Sequence, residues 1–86
     1  MLLDDAAYRA LHRKGVAGTW VEAGRLVRRW RLDQGLTQRE LAERVDTTVG
    51  EVRRVEAGTA RPQMVTLRRW LGVTGIAVGR WYPELA

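Results

Sequence analysis

The chain has 86 residues, a formal net charge of +5 and no cysteine. The chain is long enough for one small domain. The absence of cysteine excludes disulfides, thiolate catalysis and cysteine-based zinc sites. A lone histidine, His12, cannot form a multi-histidine metal site, so we expect no metal and no cofactor. The isoelectric point near 11.0 and the 14 arginines favour an anionic partner, although composition does not choose between nucleic acid and a membrane surface.

The N-terminal segment, residues 1–18, carries neither signal-peptide nor membrane features. Asp4 and Asp5 do not fit the basic start of a signal peptide, and no apolar run approaches the roughly 18 residues that a bilayer span needs. A weak helical pattern in residues 4–13 ends at a Gly-Val-Ala-Gly joint. We therefore expect a cytoplasmic protein whose residues 1–18 form a partly helical extension.

Three segments carry a threonine followed three positions later by a glutamate, which is the spacing of a helix capping box. They are Thr19–Glu22, Thr37–Glu40 and Thr48–Glu51. Each precedes apolar residues at helical spacing, so we predict helices at about 20–34, 38–45 and 49–57. The predicted inner faces contain Trp20, Ala23, Val27 and Trp30, then Leu41, Ala42 and Val45, then Val52 and Val55.

The chain after Gly58 is less regular. Pro62 starts a fourth predicted helix at about 63–71, with Met64, Leu67 and Leu71 inward and Trp70 flanking the core. The pattern leaves open whether this helix continues past Gly72. The alternation of Ile76 and Val78 fits either a short strand or one helical turn. The sequence therefore predicts an all-α fold, a compact bundle of four to five helices.

Two short helices joined by a three-residue turn, behind a supporting helix, form a helix-turn-helix. The run LTQRELAERV at 36–45 and the run DTTVGEVRRVEAG at 46–58, followed by Arg61-Pro62, resemble the Cro and lambda-type repressor family, also called Xre-type regulators. The resemblance covers about 25–76. It implies a lambda-repressor-like DNA-binding domain at 19–76, followed by a tail at 77–86.

The family resemblance also implies roles for individual residues. The positions that match base-contacting residues are Gln38, Val49, Gly50, Arg53 and Arg54. The positions that match phosphate-contacting residues are Thr48, Thr59 and Arg61. Arg31 and Glu56 match a structural ion pair between the first and third helices. The physical chemistry agrees, because arginine binds guanine with two hydrogen bonds and free N–H groups at helix starts bind phosphate.

The sequence departs from the family pattern at four positions. Asp46 replaces the usual glycine of the turn, Ala57 replaces a frequent asparagine, and Gly50 lacks a side chain at an expected reading position. Glu51 adds a negative charge near the groove, unless its capping role uses that charge. Aspartate tolerates positive φ better than most residues, so the turn remains possible. These changes make base reading depend on Arg53 and Arg54.

We expect a sequence-specific double-stranded DNA-binding transcriptional regulator, a repressor by the habit of the family. It would act as a homodimer on an inverted-repeat operator. We expect the dimer interface in the tail, at Ile76, Val78, Trp81 and Tyr82. The alternative is a protein-interaction module, such as an antitoxin or a polymerase-docking adaptor, that binds a partner with residues 1–18 or 72–86. An enzyme is disfavoured, because the sequence has no nucleophile–base pair, phosphate loop or metal cluster.

Overall fold

A computed structural model describes residues 18–60 and 62–81 of the chain. These residues form five helices joined by short loops, and none of them forms a strand. The helices are α1 (Gly18–Asp33), α2 (Gln38–Val45), α3 (Val49–Ala57), α4 (Met64–Thr74) and α5 (Val78–Trp81). The predicted all-α class is therefore confirmed. The extension at 1–17, Arg61 and Tyr82 lie outside the described residues.

The predicted bounds of α2 and α3 are confirmed, and those of the other helices change. Thr19 lies within α1, in the range Gly18–Asp33, and is not the N-cap that its spacing predicts. α4 runs through Gly72 to Thr74, because Gly75 ends it with a left-handed φ of 70°. The segment around Ile76 and Val78, for which the sequence leaves a strand or a helical turn open, leads into the helical turn α5.

The two remaining threonine caps differ in how completely they form. The Thr37 hydroxyl accepts the Glu40 N–H at 3.0 Å, and the Glu40 carboxylate accepts the Thr37 N–H at 2.9 Å. The Thr48 hydroxyl likewise accepts the Glu51 N–H at 3.1 Å, but the Glu51 carboxylate accepts the hydroxyl of Thr47 instead. Both caps satisfy backbone donors that a helix start leaves free, and they therefore fix where α2 and α3 begin.

The core lies where the inner faces of the helices meet. Its buried apolar residues are Trp20, Ala23, Val27, Leu41, Ala42, Val45, Val52, Val55, Ala60, Leu67, Trp70, Val78 and Trp81. The predicted inner faces of the first three helices are buried, except for the half-buried Trp30. The prediction for Trp70 is wrong: it does not flank the core but is completely buried. Because α4 extends to Thr74, its buried stripe passes through Leu67, Trp70 and Thr74.

Helix α5 belongs to this core. The Trp81 ring packs edge-on against Trp20, with 6.3 Å between ring centroids, and lies 6.4 Å from Trp70. Trp81 is 1% exposed and Val78 is 7% exposed, while Ile76 is half-buried against the same core. Val78 and Trp81, two of the residues predicted for a dimer interface, are therefore packed inside the chain, and their side chains are not available for that surface. The packing also continues past residue 76, where the sequence places the end of the domain.

Candidate nucleic-acid interface

The turn between α2 and α3 sets the angle of the two helices. Asp46 takes φ 60° and ψ 53°, a left-handed conformation that favours glycine. The Thr47 N–H then closes the end of α2 by donating to the Ala42 carbonyl at 2.9 Å. Arg69 of α4 braces the turn, since its Nη1 donates to the Asp46 carbonyl oxygen at 3.2 Å. The aspartate is therefore accommodated, and a side chain from another helix holds the turn.

Helix α3 crosses α1 at very close range. A Cβ atom on Gly24 of α1 would lie 2.2 Å from the carbonyl oxygen of Val55. Beyond the end of α3, a Cβ on Gly58 would lie 2.9 Å from Cα of Val21, and Gly58 has a φ of 77°. Only glycine allows backbones to approach this closely. The position of α3 on α1 is thus fixed by backbone contact.

An ion pair joins the same two helices. Arg31 of α1 donates to the Glu56 carboxylate of α3 through Nε at 2.6 Å and Nη2 at 3.0 Å, and both side chains are almost completely buried. Arg31 Nη1 also donates to the Leu36 carbonyl oxygen at 2.9 Å. The hydrogen bonds to Glu56 raise the pKa of Arg31 above its ordinary value. The structure thus contains the pair that the resemblance implies, together with a link to the chain before α2.

Gln38, at the first residue of α2, belongs to this network. Its Nε2 donates to Oε1 of Glu56 at 3.2 Å, and the residue is half-buried. One N–H and the amide oxygen remain for an external partner. No pattern in the sequence points to this link between Gln38 and Glu56, because the two residues are 18 positions apart and neither is apolar.

One face of α3 is open to solvent. Arg53 and Arg54 are exposed, Gly50 is half-buried, and Val49 packs partly against the core. Thr48, the N-cap, is exposed and lies beside Gly50, as does the Arg54 guanidinium. Four predicted contact residues are therefore exposed or partly exposed around the start of one helix, whereas the apolar surface of Val49 is only partly available.

Thr59 lies at the other end of α3. Its backbone N–H and its hydroxyl both donate to the carbonyl oxygen of Arg54, at 2.9 and 3.3 Å. The residue is exposed. In the structure this predicted phosphate contact also caps the C-terminal end of the helix.

A second arginine-rich surface lies on the outer face of α1. It is a shallow, open hollow of about 420 Å³. Its lining residues are Arg25, Arg28, Arg29, Leu32 and Asp33. Leu32 is 55% exposed, and the sequence does not single it out. This hollow is separate from α3, so the positive charge of the protein is distributed over more than one face.

The described residues contain no group of three or more histidine, cysteine or acidic side chains arranged to hold a metal ion. None of the five helices combines the length and the apolar character that crossing a membrane requires.

A comparison with protein-family models gives a match to the family described as helix-turn-helix, over residues 27–81. This match covers more than half of the chain and includes α2, the turn and α3. The chain belongs to the Cro/C1-type (Xre-type) helix-turn-helix family. A helix-turn-helix protein of this family is a DNA-binding regulator. No curated protein and no solved structure matches the chain.

Proposed function

We propose that this helix-turn-helix protein is a sequence-specific repressor that reads the major groove of double-stranded DNA with the exposed face of α3. The observation that supports this most is the exposure of Arg53 and Arg54 on a helix whose other face is packed against α1. A side chain can select a base only if its backbone is held in position. The close contact of Gly24 with Val55 and the pair between Arg31 and Glu56 supply that support.

Base reading in this proposal rests on the two arginines. A guanidinium presents paired donors that match O6 and N7 of guanine, and one such contact discriminates against a wrong base by about 1–3 kcal/mol. Val49 and Gly50 let the helix start come close to the bases, and the remaining N–H and amide oxygen of Gln38 face the same groove. Thr48, Thr59, Arg61 and the backbone N–H groups at the helix starts bind phosphates.

The wider charge supplies attraction that does not depend on sequence. Residues 20–71 hold 11 arginines and seven acidic residues, which gives +4 of the total +5. Such charge displaces counterions from the DNA backbone, so binding weakens as salt rises. We propose a homodimer that places its two α3 helices in successive major grooves, about 34 Å apart, on an inverted-repeat operator. A bound dimer that overlaps a promoter would exclude polymerase and keep the protein on the nucleoid, in the cytoplasm.

The alternative is a module that binds a protein partner with residues 1–18 or 72–86. In the described part of the second segment, Val78 and Trp81 are buried in the core, so their apolar side chains are not available to a partner. The DNA-reading function is therefore the one that the geometry supports best.

The test is a double substitution with a matched control. Duplexes are first selected from a random pool with the intact chain, and binding of a selected and a scrambled duplex is then compared by fluorescence anisotropy. Arg53→Ala with Arg54→Ala should reduce the preference for the selected duplex by about 5- to 150-fold for each arginine that no longer binds a guanine. Arg28→Ala with Arg29→Ala removes the same charge from α1 and should weaken binding of both duplexes equally.

A preference that survives in the Arg53→Ala, Arg54→Ala variant would contradict the proposed reading. The oligomeric state is checked separately by sedimentation of the complex with a selected duplex. Two chains on each full site support the dimer, and one chain on each site contradicts it.

A further inference from the structure

We infer that Gly50, Thr47 and Glu51 are positioning residues for Arg54: together they hold its guanidinium at the start of α3, free to bind a base. The inference rests on the proposed function and adds specificity-determining residues to it. None of the three needs to touch DNA to act in this way.

Gly50 provides the space in which Arg54 lies. A Cβ atom at position 50 would be 3.4 Å from Nη1 of Arg54 and 3.8 Å from Oγ1 of Thr48, and these two are its near neighbours among the described residues. Long side chains in a helix lean back over the preceding turn, and Arg54 is one turn after Gly50. The guanidinium therefore rests on the bare backbone of the first turn of α3, next to the N-cap. Because position 50 has no side chain, the space above it is available to the side chain of Arg54.

Glu51 is the acidic residue that could disturb this arrangement. It precedes Arg54 by three positions, a spacing at which opposite charges on a helix attract each other. Its carboxylate instead accepts the hydroxyl of Thr47, and the structure shows no ion pair between Glu51 and Arg54. Thr47 and Glu51 are both half-buried, whereas Arg54 is exposed. Thr47 thus keeps a competing carboxylate away from the guanidinium.

The consequence for recognition is that Arg54 does not have to break a pairing with Glu51 when it binds DNA. Its donors are not committed to the Glu51 carboxylate, so no such hydrogen bond has to break before they bind O6 and N7 of guanine. Its side chain also has a defined resting place, which lowers the cost of ordering a flexible chain at an interface. A single charged residue can then carry base preference on a short helix.

The first experiment changes the size of position 50. Gly50→Ala adds one methyl group at ordinary contact distance from Arg54, so it should keep the base preference and raise the melting temperature, because glycine weakens a helix. Gly50→Val adds methyl groups on both sides of Cβ, which must displace the guanidinium. It should fold and lose at least about 5-fold of the preference at the base pair that Arg54→Ala relaxes.

The second experiment releases Glu51. Thr47→Val keeps the shape of the side chain but removes the hydroxyl, so the carboxylate becomes free to pair with Arg54. Preference for the selected duplex over one altered at the Arg54-dependent base pair should fall, and Glu51→Gln in the same chain should restore it. The ratio of the two affinities is the readout, because removing an acid strengthens binding to every duplex. A purely structural role of Thr47 would not be rescued in this way.

The outcomes distinguish a failure of the proposed function from a failure of the positioning roles inferred for Gly50, Thr47 and Glu51. An intact chain that binds all duplexes alike overturns the proposed function and the inference together. A selective intact chain whose preference survives Gly50→Val overturns the role of Gly50. A loss of preference in Thr47→Val that Glu51→Gln does not reverse, or no loss at all, overturns the role of Thr47 and Glu51.

Discussion

The two faces of α3 have opposite environments. On the inner face, Val52 and Val55 are buried, Val55 touches α1 through its backbone, and the Glu56 carboxylate is paired with Arg31. On the outer face, Arg53 and Arg54 are exposed to solvent. A nine-residue helix is too short to be stable alone, so the packing of the inner face supplies the stability and the orientation of the outer face. Substitutions at the two faces should therefore change the stability of the fold by different amounts.

The largest effect should come from Gly24→Ala. The added Cβ would lie 2.2 Å from the Val55 carbonyl oxygen, and neither atom belongs to a side chain that can move away. We expect the free energy of unfolding to fall by about 3 kcal/mol or more, as in severe overpacking. Urea denaturation measures it. Gly72→Ala is the matched control, because no described atom lies within 4 Å of the added Cβ and the helix should gain up to about 1 kcal/mol.

The next effect should come from Glu56→Ala. It leaves Arg31 buried without its carboxylate, and breaking a buried pair in this way costs about 3–5 kcal/mol. The comparison is Glu22→Ala, which removes the exposed pair between Glu22 and Arg80 and should cost less than about 1 kcal/mol. Equal losses of stability in the two variants would show that burial of the Arg31–Glu56 pair is not what holds α3 on α1.

A smaller effect should come from Thr48→Ala at the exposed N-cap of α3. The substitution removes the hydroxyl that accepts the Glu51 N–H, and loss of such a cap typically costs about 1 kcal/mol. Thr48→Ser keeps the hydroxyl and should keep most of the stability. If thermal melts of the alanine variant match those of the intact chain, α3 does not need its cap, and the contrast between its packed and exposed faces is greater than we expect.

The smallest effect concerns pH and the neighbouring helix α2. The backbone N–H of Thr37, and then its hydroxyl, hold the pKa of the exposed Glu40 carboxyl below its ordinary value. A carboxyl with a lowered pKa in the folded state stabilises the fold above its ordinary pKa, and this contribution disappears as pH falls through the folded value. Glu40→Gln should therefore melt slightly below the intact chain at neutral pH, and the two melting temperatures should converge as pH falls through the folded pKa of Glu40. A difference in melting temperature between the two chains that stays the same at all pH values would contradict this.

Local signals in the sequence are enough to predict where α2 and α3 begin and end. Each begins at a threonine cap and ends at a residue with positive φ, Asp46 or Gly58, and these features act within one turn of the helix. The family resemblance adds the pair between Arg31 and Glu56, which lie 25 positions apart. The sequence does not predict that Thr19 lies within α1, because the threonine–glutamate spacing at 19–22 matches that of a helix cap.

Local patterns are not enough to predict the candidate nucleic-acid interface. Sequence periodicity shows that a helix has an inner face, but it does not show which other residues fill the remaining space, and so it does not predict that Trp70 and Trp81 are buried. The contact of Gly24 with Val55 and the place of Arg54 over Gly50 depend on how backbones and long side chains meet in three dimensions. The sequence by itself thus determines where α3 begins and ends and which residue types it contains, because caps and stops act over short distances. The orientation of α3 and the position of the Arg54 side chain come from the packing of the whole domain.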